Sequence, residues 1–245
     1  MGSFDGKRVW ILGASEGIGA ALARAFAREG ASLLLSARNE IALRELADEL
    51  GKAQVHKLDI GDDQALAQAA EHIARAGPLD IVICTAALYE PSRVADIDPI
   101  RVQDMLRVNI LGTLNVARLC PPLLRDGGQL VLFGSVAGYF GLPRGQAYSA
   151  TKAAVNNIAE SLAAELAPRI NVRLVCPGFV RSRLTDKNHF TMPAIITAEE
   201  AAERTLRGLR GRKFEIHFPR RFTLAVKLLR LLPYSLALRL SRRIS

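Results

Sequence analysis

The sequence predicts an α/β fold: a doubly wound parallel sheet of about seven strands, in one domain, with a helical appendage at the C-terminal end. Three observations predict it. Short, near-continuously apolar runs alternate with longer helical patterns, as strands covered on both faces require. Turn residues fall between them, at Gly30, Gly51, Gly77-Pro78, Gly127-Gly128 and Pro177-Gly178. The chain has neither an internal repeat nor a linker that would divide it, and 245 residues suffice for one sizeable core.

Each element follows from local pattern. The first strand is the apolar run 8–13, which ends in a glycine-rich turn and opens a helix over 17–28. Aliphatic residues at 32–37 give the second strand, and Glu40 opens a helical pattern to 50. Strand three is 54–58, with a helix over 62–76. Strand four, 80–84, is followed after a loop by a long pattern, 98–119. Strand five is 129–133, and the helix after it spans 146–166. Strand six is 171–176, a helix covers 198–209, and strand seven is 214–218.

Bulk composition narrows the function classes. Residues are 49% apolar and 23% charged, ordinary for a globular protein. The first six residues are polar, with no signal-type apolar run, and no stretch is long enough to span a bilayer. Cys84, Cys120 and Cys176 are odd in number, lack metal-type spacing and sit in apolar runs. Buried reduced thiols, no metal and a cytoplasmic location are therefore expected. The net charge of +9 is uneven: from Gly211 onward nine basic residues face one acid, Glu215, which places +8 in the tail.

The run Gly13-Ala14-Ser15-Glu16-Gly17-Ile18-Gly19 joins the first strand to a helix. Its glycines permit a tight turn and close backbone approach, and the helix N-terminus offers N–H groups and a positive dipole to a pyrophosphate. Strand two ends at Ser36-Ala37-Arg38, without the acid that would hold a free ribose 2′-hydroxyl. Arg38 offers a planar cation to a 2′-phosphate, so NADP(H) is favoured over NAD(H). Glu16 argues the other way, because an acid in the loop repels a 2′-phosphate. Asp59 either accepts from an adenine amino group, with Ile60 packing nearby, or caps the helix that follows.

Tyr148 and Lys152 stand four residues apart on one helical face, where an ammonium would lower the phenol's pKa. Ser135 ends strand five, at the sheet edge where open α/β folds bind ligands. Asn109 is polar in an otherwise apolar helical stretch, which is locally unfavourable and hints at a specific task.

Taken in order, these motifs resemble the short-chain dehydrogenase/reductase family, a Rossmann-type fold, over about residues 5–219. The glycine motif falls on Gly13, Gly17 and Gly19, the tetrad on Asn109, Ser135, Tyr148 and Lys152, and the Pro-Gly element on Pro177-Gly178. Ser182 stands where a threonine is common. The resemblance implies cofactor contacts from Gly13, Ser15, Gly17, Ile18, Gly19, Arg38, Asp59, Ile60, Ala86, Asn109, Tyr148, Lys152, Pro177, Gly178, Val180 and Ser182. It implies hydride transfer between the nicotinamide and a substrate carbon, with Tyr148 moving the proton, Ser135 orienting the oxygen and Lys152 holding the ribose. The Asn109 backbone carbonyl would support a proton-relay water. Two departures are evident: Cys84-Thr85-Ala86-Ala87 replaces a usual Asn-Asn-Ala-Gly, removing an amide that braces the sheet, and Leu12 replaces a threonine.

Residues 179–196 would cover a small-molecule carbonyl or alcohol substrate. Leu184, His189, Phe190, Met192, Pro193, Ile195 and Ile196 favour an apolar or acyl type, unless they pack on the body. The family also implies a homodimer or homotetramer through 98–119 and 146–166. In the tail, residues 220–245, Arg220, Thr223, Lys227 and Arg230 share one helical side over 220–232; Pro233 interrupts, and Leu236, Leu240 and Ile244 resume with Arg239, Arg242 and Arg243. Such a basic amphipathic segment suits either an anionic inner-membrane surface or packing on protein, and nucleic acid is disfavoured for want of interleaved aromatics. Two alternatives to an enzyme stay open: a catalytically idle cofactor-binding scaffold, and a membrane-surface adaptor.

Overall fold

A computed structural model describes residues 2–51, 53–188 and 190–241. The sheet has seven parallel strands in the order β3-β2-β1-β4-β5-β6-β7. They are β1 (Arg8–Leu12), β2 (Ser32–Ala37), β3 (Gln54–Lys57), β4 (Leu79–Cys84), β5 (Leu124–Phe133), β6 (Asn171–Pro177) and β7 (Glu215–Phe218). The order reverses between β1 and β4, which opens a crevice at the C-terminal ends of the strands.

Alternation along β1 divides the core. Val9 and Ile11 face a layer with Phe4, Phe26, Leu35 and Leu206, under α1 (Gly17–Arg28), α2 (Glu40–Leu50) and α7 (Ala198–Leu209). Trp10 and Leu12 face the other layer, with Leu66, Val82, Val116 and Val155, under α3 (Asp63–Arg75), α5 (Thr113–Leu119) and α6 (Gln146–Leu166). Trp10 donates its indole N–H to the buried Ser36 hydroxyl at 2.9 Å.

Two elements differ from expectation in an informative way. The pattern 98–119 is not one helix: α4 (Pro99–Leu106) passes into a π-helical segment, Arg107–Gly112, before α5. The widened turn contains Asn109, and Gly112 lies so close to Ile60 that a Cβ would approach its Cγ1 to 2.7 Å. β5 begins at Leu124 instead of 129, with a register irregularity opposite Leu79 and Ile81 that absorbs Gly127-Gly128.

The tail forms α8 (Arg220–Leu229) and α9 (Tyr234–Ser241). Its burial does not follow the polar side that groups Arg220, Thr223, Lys227 and Arg230. Thr223 is fully buried and donates to the Pro219 carbonyl, and Lys227 turns inward to Glu215, which also accepts from Tyr139. Val226, Leu229 and Ala237 bury against Phe140. Leu224 and Leu228 are left exposed. The body supplies polar partners to the polar residues, and that determines which side of α8 faces in.

Candidate active site

The first groove, about 370 Å³, crosses the glycine turn at the sheet's reversal point. Gly13 has φ +93°, and a Cβ there would sit 2.5 Å from the Ala86 nitrogen; a Cβ at Gly19 would fall 2.1 Å from the Gly13 oxygen. Gly17, at φ +54°, faces open space apart from the Ser182 Cβ at 3.5 Å. Side chains cap α2, α3, α4 and α7 (Asn39, Asp62, Asp98 and Thr197), but none caps α1. Its first N–H groups thus remain available to an anion in the groove, which fits a pyrophosphate.

Ser15, Ile18, Arg38, Asp59, Ile60 and Ala86 line this groove together with the glycines. Arg38 is exposed at its rim, beyond the end of β2. Asp59 is not the helix cap, which is Asp62; its carboxylate accepts from the Gly61 N–H at 2.9 Å and from Arg107 at 3.1 Å. Glu16 is paired with Arg183, whose guanidinium donates at 2.7 and 3.2 Å, so the loop's acid is locally neutralised.

The second cleft, about 590 Å³, meets the first along Ile18, Ser182 and Leu184. Ser135 and Tyr148 line it, and so do Pro177, Gly178 and Val180, which were expected as cofactor contacts and lie outside the first groove. Burial pushes the Tyr148 phenol well above its ordinary range, and the neighbouring Ser135 hydroxyl works against that rise. Lys152 is buried below, donating to the Phe133 carbonyl at 2.7 Å, with Nζ 5.8 Å from the Tyr148 ring centroid. Desolvation brings its pKa down from 10.5 to about 8. The expected lowering of the Tyr148 pKa by Lys152 does not set the phenol here: desolvation dominates it, and Ser135 is what works against the rise.

Asn109 lines neither cleft. It is buried, accepts from Leu88 N–H at 2.7 Å, and donates to the Leu88 carbonyl at 2.9 Å and to Thr151 Oγ1 at 3.0 Å. Its own carbonyl accepts from Thr113 at 2.7 Å. The side chain thus clamps the loop after β4 to α6 at Thr151, three residues after Tyr148.

Of the substrate-loop residues, Leu184 and Phe190 line the second cleft. Ile196 is buried in the body, Met192 and Ile195 are half-buried, Pro193 is exposed, and His189 lies outside the described residues. Three residues escaped the sequence reading. Thr85 donates to the Leu12 and Gly13 carbonyls at 3.0 and 3.1 Å, so a hydroxyl braces β4 against the glycine turn where an amide was thought missing. Tyr89 packs its ring edge-on to Tyr148, centroids 4.7 Å apart, and donates to Asn188 at 2.6 Å. Its signal was an isolated aromatic just past β4. Arg183 was visible only as one more arginine.

Comparison with known proteins agrees with this geometry. A family model for short chain dehydrogenases matches residues 7–192. The chain is 30% identical over 252 residues to an uncharacterized oxidoreductase of Myxococcus xanthus, covering 100% of both. It is 34% identical over 188 residues to 11-beta-hydroxysteroid dehydrogenase A of Sesamum indicum, covering 74% of this chain and 54% of that protein. A short chain dehydrogenase of Burkholderia cenocepacia, solved in complex with NADP, superposes with a TM-score of 0.85 at 27% identity, covering 100% of this chain and 99% of that one. One from Burkholderia phymatum, solved in complex with NAD, has a TM-score of 0.86 at 22% identity, covering 94% and 95%.

Proposed function

The chain belongs to the short-chain dehydrogenase/reductase family, an NAD(P)-dependent oxidoreductase acting on alcohol and carbonyl groups, and from that premise we propose a tyrosine-centred reductase that prefers NADP(H). The observation that carries the proposal is the pairing of Tyr148 with Ser135 in a cleft that opens directly into the groove over the uncapped α1.

The glycine turn and the α1 N-terminus would hold the pyrophosphate, and Arg38 the 2′-phosphate, with Glu16 kept from opposing it by Arg183. Ala86 and Ile60 would pack beside the nucleoside, Asp59 at its rim. Pro177, Gly178, Val180 and Ser182 would border the nicotinamide end. The bound dinucleotide supplies or accepts a hydride. Ser135 donates to the substrate oxygen and fixes its position. Tyr148, held protonated at neutral pH by burial, gives its proton to that oxygen in reduction. Lys152 would hold the ribose and return a proton towards Tyr148, its lowered pKa easing that transfer. Asn109 keeps the Leu88 loop and α6 in register, and its carbonyl stands at the start of a relay.

The substrate is proposed to be apolar or acyl in type. Val102, Val136, Leu142, Phe179, Leu184 and Phe190 provide the wall, while charged residues such as Glu90, Arg101 and Lys187 pair with one another at the rim. The proposal further includes residues 220–245 as a separate appendage, oligomerisation through 98–119 and 146–166, and a cytoplasmic location. NADPH consumption across ketones and acyl aldehydes of increasing chain length tests the reading. Rates should rise with chain length and fall by roughly 10²–10⁴ in Tyr148→Phe. Tight NADPH binding without turnover, or an undiminished Tyr148→Phe enzyme, would refute it.

A further inference from the structure

α8 is amphipathic in the wrong sense for a solvated helix. Its inner face carries Thr223, Val226 and Leu229, at three-residue intervals, all buried against the body. Its outer face shows Leu224 at 50% exposure, Leu228 at 58% and, at the following turn, Leu231 at 80%. Tyr234 follows at 77%. Four large exposed apolar side chains in eleven residues form more than a scatter of single surface leucines.

The charge around this face has one sign. Arg220 and Arg221 flank it on α8 and Arg239 is exposed on α9, whereas Arg230 lies on the side of Thr223 and Val226. The sole acid after Gly211, Glu215, is turned inward to Lys227 and Tyr139 and so contributes no negative charge outside. The tail is also held firmly: besides the Glu215 contacts, the Lys227 Nζ lies 5.0 Å over the Tyr139 ring, and Phe222 packs on Phe179 with centroids 5.6 Å apart. None of the described helices is long and apolar enough to cross a membrane. Leucines with flanking arginines and no outward acid, on a short fixed helix pair, match a bilayer surface rich in anionic lipid.

We propose that the outer face of α8 and the turn after it, with Leu224, Leu228 and Leu231 inserted and Arg220, Arg221 and Arg239 at headgroup level, docks the enzyme on anionic lipid. Phe222 makes the docking consequential. It touches Gly178 and Phe179 of the substrate cleft, and Phe179 in turn stacks on Phe190 at 5.6 Å. The docked tail stands directly beside the loop that lines the cleft. Docking itself does not depend on the identity of the substrate; the delivery of an apolar carbonyl compound from the bilayer to the cleft rests on the function proposed above.

The test is co-sedimentation of the full-length enzyme with vesicles of phosphatidylglycerol and phosphatidylcholine, against phosphatidylcholine alone, at low and high salt. Binding should require phosphatidylglycerol and weaken as salt screens it. Leu228→Asp with Leu231→Asp should reduce binding roughly tenfold or more, and Arg221→Glu roughly fivefold or more. Retained turnover of a short water-soluble ketone reports that each variant is folded; if no carbonyl compound is turned over, an unchanged melting temperature serves instead, and vesicle binding is still read. Folded enzyme that ignores anionic vesicles at low salt overturns the proposal. So does a leucine variant that binds vesicles normally but loses a dimer by sedimentation, since the face then belongs to a second copy. Binding to duplex DNA that is equally strong and indifferent to the leucine changes would make it a polyanion site instead.

Discussion

Removing the Asn109 side chain separates two roles that the family resemblance combines. In Asn109→Ala the backbone carbonyl remains, so any relay through it survives. The clamp disappears: the Leu88 N–H and carbonyl lose partners at 2.7 and 2.9 Å in a site where Asn109 is 1% exposed. Thr151 keeps its bond to the Tyr148 carbonyl and is not orphaned. An unsatisfied buried group costs about 1–3 kcal/mol. Leu88 is half-buried and lines the first groove, so its two groups fall at the low end and give a loss of ~2 kcal/mol. At roughly 2–4 °C per kcal/mol for a chain of this size, Tm should fall by roughly 4–8 °C. Differential scanning calorimetry measures that fall, and amide exchange at Leu88 should quicken in step. A variant that melts within ~2 °C of the parent yet has lost its turnover would refute the clamp and return Asn109 to the chemistry.

Three further outcomes follow. Gly19→Ala places a methyl 2.1 Å from the Gly13 oxygen and 2.8 Å from Thr85, so NADPH titration should show at least tenfold weaker binding, with about 1–3 kcal/mol lost in urea unfolding. Arg38→Ala should weaken NADPH by roughly 10–100-fold, the worth of a charged contact, and leave NADH unchanged by the same titration; equal effects on both would remove Arg38 from the specificity. Lys152 titrates at about 8 folded against 10.5 ordinarily, so between those pH values the unfolded chain binds the extra proton. Unfolding free energy should therefore rise with pH across that window, by up to about 1.4 kcal/mol per unit, and urea titrations of Lys152→Met should lack the rise.

The central strands were legible because they are covered on both faces and read as unbroken apolar runs, 32–37 coinciding with β2 at both ends, and the helices 17–28, 40–50, 146–166 and 198–209 were legible to the residue from their helical periodicity. The π-helical segment was not, because its cause is tertiary. Nothing in Arg107–Gly112 announces that Gly112 must admit Ile60 or that Asn109 must reach Leu88. Likewise the tetrad was legible as residue types in order, but the state of Lys152 depends on a carbonyl of Phe133, nineteen residues away. The tail misled for a related reason. Helical spacing grouped Thr223 and Lys227 with the arginines, and only the partners waiting on β7, His217 and Glu215, turned them inward. Thr85 shows the converse limit: a departure from the family pattern read as a missing brace, while its hydroxyl braces the glycine turn through the Leu12 and Gly13 carbonyls.

The three thiols have a use apart from catalysis. Cys84, Cys120 and Cys176 are buried, and desolvation pushes all three up, Cys84 to about 11 and Cys176 to about 12. A thiol so protonated and enclosed reacts with an alkylating reagent only in the moments when its surroundings open. Cys84 ends β4, Cys120 follows α5, and Cys176 lies near the end of β6 against Asn156. The chain thus carries three native clocks at separate depths. Their labelling rates, read by mass spectrometry without any introduced probe, would resolve which part of the sheet breathes first and which of the three a bound nucleotide holds shut.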